Sequence, residues 1–316
     1  MAAPVLINRR AGRAGPRMLA ALRAATPTLI VTDTAAEAEA ALAEVVARGA
    51  PRIVLGGGDG TLVAGLAAIS RAAAAHGAPE PVVGVLALGT GNAIARAIGA
   101  RAPRPGAVAA ALAHAEVAPP IELPMLDVLG RRAPFCGFGL DAQLVADADA
   151  VGATLARARL RLPAALRYAL AVPLVSVPRF VRTARPTVTI YRRGAAAHVD
   201  GGAATDAVLW SGACTLAACS TIPYFGFGLQ MFAFARTRAD RFQVRAGDPG
   251  LAEVIGSAPA AFRGRYRSPR VHDFLCDAVT LALDRPAPFE IAGDVVGTLA
   301  TVDVRRGRAA RLVAAT

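Results

Sequence analysis

Short apolar runs alternate with alanine-rich stretches over the first hundred residues. The apolar runs are rich in Val, Ile and Leu and predict buried strands at residues 5–8, 28–32, 52–55 and 82–87. The alanine-rich stretches predict three helices, which follow Thr34, Thr61 and Asn92 and end near Gly49, Gly77 and Gly99. Strands and helices that alternate in this way predict a parallel sheet covered by helices.

The pattern changes after Pro119-Pro120, beyond which Gly and Pro separate many short strand candidates. These candidates lie at residues 135–140, 187–191, 208–218, 242–245, 279–283 and 301–305. Such spacing predicts a mainly β second domain. Because 316 residues exceed the usual size of one domain, we expect an α/β domain over residues 1–120 and a β-rich domain over residues 121–316. The last strand of the second domain could pack back on the first.

The net charge of +12 and the sequence pI of about 11.0 favour anionic partners. Every one of the 35 basic residues is arginine and alanine is abundant, so part of this excess follows a bias that runs along the whole chain. No basic motif interleaved with aromatic residues is present, and we therefore do not expect a nucleic-acid partner. The hydrophobic content of 54% is ample for folded cores.

The four cysteines and four histidines show no metal-ligand spacing. No C-x-x-C pair occurs, and the neighbours of the cysteines are apolar, which predicts buried reduced thiols and no zinc site. The N-terminus shows no targeting segment, and no run of 18 uncharged apolar residues occurs. These features lead us to expect a cytoplasmic protein.

A basic and apolar segment covers residues 155–185. Its arginines stand among Leu, Val, Tyr and Phe, and three prolines break it into short pieces. One interpretation is a patch that lies on an anionic membrane surface, on the inner face of the membrane. The other is an ordinary pair of surface helices whose arginine stems cover the core. The sequence leaves both open, and it leaves the oligomeric state open as well, a homodimer included.

The strongest candidate for chemistry is a glycine-rich loop that follows the predicted strand at 52–55. Its residues are Gly56, Gly57, Gly58, Asp59, Gly60 and Thr61. Glycines let phosphate oxygens approach backbone amides closely, and the helix that follows offers its free N–H groups and its dipole to an anion. No lysine follows, so this is not a Walker A site. Asp59 would repel a phosphate unless Mg²⁺ or a hydrogen-bond network lay between them.

A second loop of the same kind connects the next strand and helix. It carries Gly89, Thr90, Gly91 and Asn92. In a parallel sheet both loops emerge at the carboxyl ends of their strands, where open α/β sheets bind ligands. Two such loops can hold one triphosphate from two sides.

With both loops in view, the chain resembles the diacylglycerol kinase catalytic-domain family, which includes sphingosine and ceramide kinases and bacterial lipid kinases. The carrying motifs are Gly57-Gly58-Asp59-Gly60-Thr61 and Leu88-Gly89-Thr90-Gly91-Asn92 with Ala95-Arg96. Weaker matches are Asn8 with Ala11-Gly12, residues 137–142, residues 224–228 and residues 289–297. The likeness extends over nearly the whole chain, but only the first two motifs are highly specific.

The resemblance implies a two-domain ATP-dependent kinase that phosphorylates a lipid hydroxyl. It implies an α/β domain with the nucleotide loops, a β-rich domain that helps to hold the lipid, and ATP with Mg²⁺ in a cleft between the domains. The implied nucleotide-binding residues are Asn8, Gly12, Gly57, Gly58, Asp59, Gly60, Thr61, Gly89, Thr90, Gly91 and Asn92. Asp59 and Asp294 are the implied catalytic residues and could share one Mg²⁺ that arrives with ATP.

The chain departs from the family at three motifs. Ala93 stands where an aspartate usually follows the asparagine of the second loop. The Asp-Gly-Glu motif, whose aspartate is the proposed base, is Ala292-Gly293-Asp294, and a loop that can hold a structural Mg²⁺ is Ala239-Asp240-Arg241, so we do not expect that metal.

These losses leave a second hypothesis open, a homologue that keeps the nucleotide and lipid sites and has weak or no catalytic activity. A third hypothesis is an enzyme like NAD kinase or phosphofructokinase, since both also use a Gly-Gly-Asp-Gly loop. The second loop fits the lipid kinases better.

Overall fold

The computed structural model describes residues 2–160, 162, 164–200, 202–226 and 228–316. The chain forms two compact units. The first comprises residues 1–125, 224–228 and 308–316, and the second comprises residues 126–223 and 229–307. Within the described residues no helix is long and apolar enough to cross a membrane.

The first unit is built on a parallel sheet. Its strands are β1 (Val5–Asn8), β2 (Leu29–Thr32), β3 (Arg52–Gly57) and β4 (Val82–Ala87), in the order β2-β1-β3-β4. Residues 312–314 near the C-terminus extend this sheet, because they pair in parallel with Val83 to Val85. All four predicted strands of this half are therefore present.

Five helices belong to this unit. They are α1 (Pro16–Ala25), α2 (Ala35–Ala47), α3 (Asp59–His76), α4 (Ala93–Ala97) and α5 (Val108–Val117). The side chain of Thr34 caps α2 by accepting a hydrogen bond from the Glu37 amide, as the sequence predicts. Helix α3 begins at Asp59 rather than after Thr61, so the second half of the first glycine-rich loop forms the first helical turn. The pattern did not predict α1 and α5, which pack on the same apolar core as β1 and β4.

The second unit is built mainly on antiparallel strands. They are β5 (Ile121–Val128), β6 (Arg131–Ala133), β7 (Phe135–Gly139), β8 (Thr187–Arg192), β9 (Ala196–His198), β10 (Val208–Ala213), β11 (Leu216–Ser220), β12 (Phe242–Gly247), β13 (Val271–Cys276), β14 (Ala278–Ile291) and β15 (Asp294–Ala314). Its central order is β14-β7-β11-β12-β13-β9, and β8 pairs with both β14 and β10. Strand β5 begins, and β15 ends, in the first unit. The single strand predicted at 208–218 is two strands, because the chain turns at Cys214 and Thr215.

Helices interrupt the β pattern of the second unit. Helices α6 (Leu140–Arg157), α7 (Ala164–Ala171) and α8 (Val177–Arg182) lie between β7 and β8, and a π-helical turn (Val172–Ser176) joins α7 to α8. Helices α9 (Leu251–Gly256) and α10 (Ala258–Phe262) lie between β12 and β13. The Arg-rich segment at 155–185 is therefore largely helical, and its residues Arg161 and Pro163 lie outside the described residues. The four cysteines are buried and free, as predicted.

Candidate functional site

The two glycine-rich loops lie in direct contact at the carboxyl ends of β3 and β4. The carbonyl oxygen of Gly57 accepts hydrogen bonds from the amides of Leu88, at 3.1 Å, and Gly89, at 2.9 Å. A Cβ atom added to Gly89 would lie only 2.2 Å from the Cα of Gly58. Because no side chain fits at this contact, glycine is required there, and the loops form one continuous backbone surface.

Asp59 connects the first loop to the helix that follows the second. Its carboxylate oxygens accept hydrogen bonds from the backbone amides of Ala93, at 2.9 Å, and Ile94, at 2.8 Å. These amides belong to the first turn of α4, where no partner exists within the helix. Asp59 is 9% exposed. Its carboxylate therefore fixes the start of α4, a contact between residues more than 30 positions apart in the chain.

Asn92 shapes the second loop from within. Its backbone adopts the left-handed conformation, with φ of 54° and ψ of 42°, immediately before α4. Its side-chain oxygen accepts a hydrogen bond from the Gly89 amide at 3.0 Å, and its side-chain nitrogen donates one to the Gly89 carbonyl at 2.7 Å. Asparagine tolerates this backbone conformation better than most residues, and its amide closes the turn. The loop is thereby held in one shape with its tip at Thr90 exposed.

A third loop, between β1 and α1, contacts both of the others. The side-chain nitrogen of Asn8 donates a hydrogen bond to Thr61 Oγ1 at 3.0 Å, and the amide of Arg13 donates one to the carbonyl of Leu88 at 2.9 Å. A Cβ atom added to Gly12 would lie 3.4 Å from Thr90 Oγ1. The sequence analysis did not select Arg13, whose exposed guanidinium adds positive charge to this loop.

The structure thus brings together the loops that hold eleven of the twelve predicted site residues. They are Asn8, Gly12, Gly57, Gly58, Asp59, Gly60, Thr61, Gly89, Thr90, Gly91 and Asn92, all in the first unit. Helix α3 begins at this point, so the free amides of its first turn and the positive end of its dipole lie beside the loops. Such an arrangement is suited to binding a phosphate group.

Residues 224–228 also belong to the first unit. Gly228 has a φ of 88°, and a Cβ atom added to it would lie 3.2 Å from Cζ of Arg96 on α4. Two of the sequence motifs that carried the resemblance therefore meet at α4. Phe227, in the second of them, lies outside the described residues.

Asp294, the twelfth residue, lies in the second unit at the start of β15. Ala292 and Gly293 form the turn between β14 and β15, with φ angles of 53° and 86°. Two consecutive residues with positive φ are typical of type I′ hairpin turns, which favour Asn-Gly and Asp-Gly. Ala292 is buried and Asp294 is exposed. The altered motif therefore keeps a tight hairpin and one carboxyl group, and partial burial of that group together with the nearby Asp149 raises the pKa of Asp294.

A buried pair of carboxyl groups, which the sequence analysis did not select, lies one strand residue away from this turn. Glu290 on β14 is 2% exposed, and both carboxylate oxygens of Asp141, in the first turn of α6, are buried. Both carboxylate oxygens of Asp141 and Oε1 of Glu290 are without a hydrogen-bond partner among the described residues. Burial and the neighbouring Asp141 raise the pKa of Glu290 well above its usual range, and burial also raises the pKa of Asp141. Because burial and a neighbouring carboxylate both disfavour the ionised form, the pair holds a proton more strongly than exposed carboxyl groups do.

The loop at Ala239-Asp240-Arg241 is neutralised by arginine. Arg238 and Arg241 donate hydrogen bonds to the carboxylate of Asp240, each at 3.1 Å. The hydrogen bond from Arg238 is the main reason that the pKa of Asp240 lies below its usual value. The guanidinium groups of Arg238 and Arg241 therefore supply the positive charge at the Asp240 carboxylate.

Residues 2–120 match the profile of the diacylglycerol kinase catalytic domain. No curated protein matches the chain.

Among solved structures, three Bacillus anthracis (strain Sterne) proteins share the fold. A candidate diacylglycerol kinase has a TM-score of 0.64 at 14% identity and covers 99% of this chain and 95% of its own. A protein described as a diacylglycerol kinase has a TM-score of 0.62 at 11% identity, with 99% and 97% covered. A further candidate diacylglycerol kinase has a TM-score of 0.64 at 12% identity, also with 99% and 97% covered. Residues 2–120, which hold the converging loops, are therefore the part of the chain that is similar to the diacylglycerol kinase catalytic domain.

Proposed function

We propose that the protein is an ATP-dependent kinase that transfers the γ-phosphate to a hydroxyl group of a lipid, such as diacylglycerol or a sphingoid base. The observation that carries the proposal is the junction of three loops at the carboxyl ends of β1, β3 and β4, held by Asp59, Asn8 and the Gly58–Gly89 contact. Backbone amides at such a junction bind phosphate oxygens without a lysine. The family match over residues 2–120 supports the same activity.

Each loop has a distinct part in this proposal. The first turn of α3 and the loop at Gly89 to Asn92 hold the phosphates, while Asn8 and Gly12 close the third side. Asp59 positions α4 and the second loop, because both of its carboxylate oxygens accept amide hydrogen bonds. Phosphoryl transfer depends mostly on such positioning and on charge neutralisation.

The residues present fit Mg²⁺ that is bound together with ATP. No cluster of three or more His, Cys, Asp or Glu side chains that could hold a metal ion occurs among the described residues. Mg²⁺ at kinase sites is usually held by one or two carboxylates together with substrate phosphates and water. Asp294 has an exposed carboxylate for this purpose, whereas Asp59 would act through water or through the loop that it fixes. The ion would neutralise charge on the transferring phosphate.

The acceptor is proposed to be a lipid that the protein meets at a membrane surface, on the cytoplasmic side. The exposed Arg-rich and apolar segment around α7 and α8 supports this partner. Soluble acceptors such as NAD or a sugar are the alternative that the glycine-rich loop alone would allow.

A nucleotide- and lipid-binding protein without transferase activity is the second candidate. The observation in its favour is Ala292, which leaves the hairpin turn without a carboxylate. Asp294 and the Asp141–Glu290 pair are the carboxyl groups that remain near this turn, and an active enzyme would have to use one of them.

An acceptor screen separates these candidates. Purified protein is incubated with Mg²⁺, γ-labelled ATP and, in parallel, a lipid extract, NAD or hexose phosphates. The proposal predicts label in the organic phase. Faster labelling of NAD or a sugar would overturn the choice of acceptor, and ATP binding without labelling of any acceptor would support the binding protein.

A further inference from the structure

Half of the large apolar side chains that are exposed in the described part of the chain lie in one segment of the second unit. Of twelve such residues, six fall between positions 160 and 181. Their exposed fractions are 56% for Leu160, 50% for Leu166, 39% for Leu170, 36% for Val172, 70% for Leu174 and 71% for Val181. Soluble proteins rarely concentrate exposed apolar residues in this way without a partner for the surface.

The geometry of α7 aligns part of this set into an apolar ridge. Leu166 and Leu170 are four positions apart on α7 and therefore lie on the same face of the helix. Leu174 follows in the π-helical turn that continues the helix. Among the side chains of α7 that the structure describes, only Ala171 is buried, so the helix is fixed by few contacts with the core.

The arginines of this segment fall into two groups. The first group forms ion pairs with carboxylates of the same unit. Arg167 pairs with Asp149 at 3.3 Å and Arg179 pairs with Asp147 at 3.2 Å. Arg185 pairs with Asp248. Arg157, Arg159 and Arg182 are exposed, and within the described residues no carboxylate pairs with them. The first group stabilises the fold, as in an ordinary surface helix pair. The second group leaves three exposed positive charges in the same segment of the chain as the exposed apolar side chains.

We propose that the exposed apolar side chains of this segment, namely Leu160, Leu166, Leu170, Leu174 and Val181, form a docking face for an anionic lipid bilayer together with the exposed Arg157, Arg159 and Arg182. Apolar side chains enter the boundary between headgroups and acyl chains, while arginine guanidinium groups bind lipid phosphates. Charge selects this partner: a second copy of the chain, which also carries +12, would bring like charges together. The inference rests on the proposed function, because the bilayer would supply the lipid that the kinase phosphorylates.

Sedimentation with vesicles tests the proposal without ATP or acceptor, so its outcome is independent of kinase activity. We expect the wild-type protein to bind vesicles of phosphatidylcholine with phosphatidylglycerol and to bind pure phosphatidylcholine vesicles far less. The triple variant Arg157→Gln, Arg159→Gln, Arg182→Gln should lose on the order of 100-fold in partition coefficient, and added salt should weaken wild-type binding. Leu174→Gln with Val181→Gln should also weaken it.

A matched triple variant controls for net charge. Arg23→Gln, Arg101→Gln and Arg104→Gln remove the same charge from exposed positions of the first unit and should leave binding within a few-fold of wild type. Equal binding to neutral and anionic vesicles would overturn the proposal, and so would an equal loss in both triple variants. Light scattering adds a third criterion: a wild-type dimer that Leu174→Gln converts to a monomer would assign the ridge to a second copy of the chain instead.

Discussion

Gly58 and Gly89 face each other backbone to backbone, so closely that a Cβ atom on Gly89 would lie 2.2 Å from the Cα of Gly58. The contact joins the two glycine-rich loops into one surface and leaves room for no side chain. The loops therefore depend on each other, although they lie about thirty residues apart in the chain.

The variant Gly89→Ala tests this contact. The added methyl group must push the loops apart, at a cost of about 3 kcal/mol or more in the free energy of unfolding. We also expect loss of ATP binding, measured by calorimetry. Gly106→Ala is the matched control, because no atom lies within 4 Å of the added Cβ. Normal ATP binding by Gly89→Ala would show that the junction does not form the nucleotide site.

Asp59→Asn tests the contact that fixes α4. An amide offers one acceptor oxygen in place of two, so one of the amides of Ala93 and Ile94 loses its charged partner, at a cost of about 2 kcal/mol. We expect the protein to remain folded and phosphate transfer to be abolished. Circular dichroism checks the fold and label transfer checks the activity. Unchanged transfer would remove Asp59 from the mechanism.

Asp294 carries the one carboxylate of the altered motif. Asp294→Ala should lower transfer at least ten-fold and weaken ATP binding in the presence of Mg²⁺, while thermal stability stays close to wild type, because the residue lies at the surface. Asp294→Glu keeps the charge and should retain most of the activity. If the alanine variant transfers phosphate at the wild-type rate, another group activates the acceptor.

Ala292→Asp restores a carboxylate to the hairpin turn. The positive φ of 53° suits aspartate better than alanine, but Ala292 is buried, so the cost of removing the new carboxylate from water should leave the variant no more stable than wild type. A positioned general base contributes about 100-fold or more, and we expect transfer to rise by up to that factor. Ala292→Asn fits the same turn without the charge and should leave the rate unchanged. Equal effects of both variants would attribute the gain to the turn rather than to a base.

The Asp141–Glu290 pair predicts a pH-dependent stability. Burial and Asp141 raise the pKa of Glu290 in the folded protein above its unfolded value, so the pair stabilises the fold at low pH. That contribution is lost as the pH rises through the folded pKa. Glu290→Gln places a neutral amide at this buried position, so no ionisation cost arises there as the pH rises, and the variant should stabilise the protein more at pH 8 than at pH 5, by about 1–3 kcal/mol.

Urea unfolding at the two pH values measures the difference, with Glu122→Gln, at an exposed position, as the control. A Glu290→Gln effect that does not change with pH would show that the pair is fully ionised or fully protonated throughout this range.

The sequence predicted those parts of the fold that depend on local pattern. Apolar runs marked the four strands of the first sheet, and Thr34 marked the start of α2. Contacts between residues far apart in the chain could not be predicted from the local pattern. The sequence suggested that Asp59 would face a phosphate through Mg²⁺ or a hydrogen-bond network. In the structure its carboxylate accepts hydrogen bonds from the amides of Ala93 and Ile94. The sequence did not identify Glu290 as a candidate site residue, because a single acidic residue in a strand is usually solvent-exposed. Only the fold brings Glu290 close to Asp141.

The most direct test of the account follows two labels of ATP in a single turnover. Wild-type protein is mixed with Mg²⁺, anionic vesicles that contain extracted lipids, and ATP labelled on either the γ- or the α-phosphate. The account predicts that the γ label enters the organic phase, that the α label stays with ADP in the aqueous phase, and that Asp59→Asn transfers neither. ATP binding with no γ label in the organic phase would contradict it.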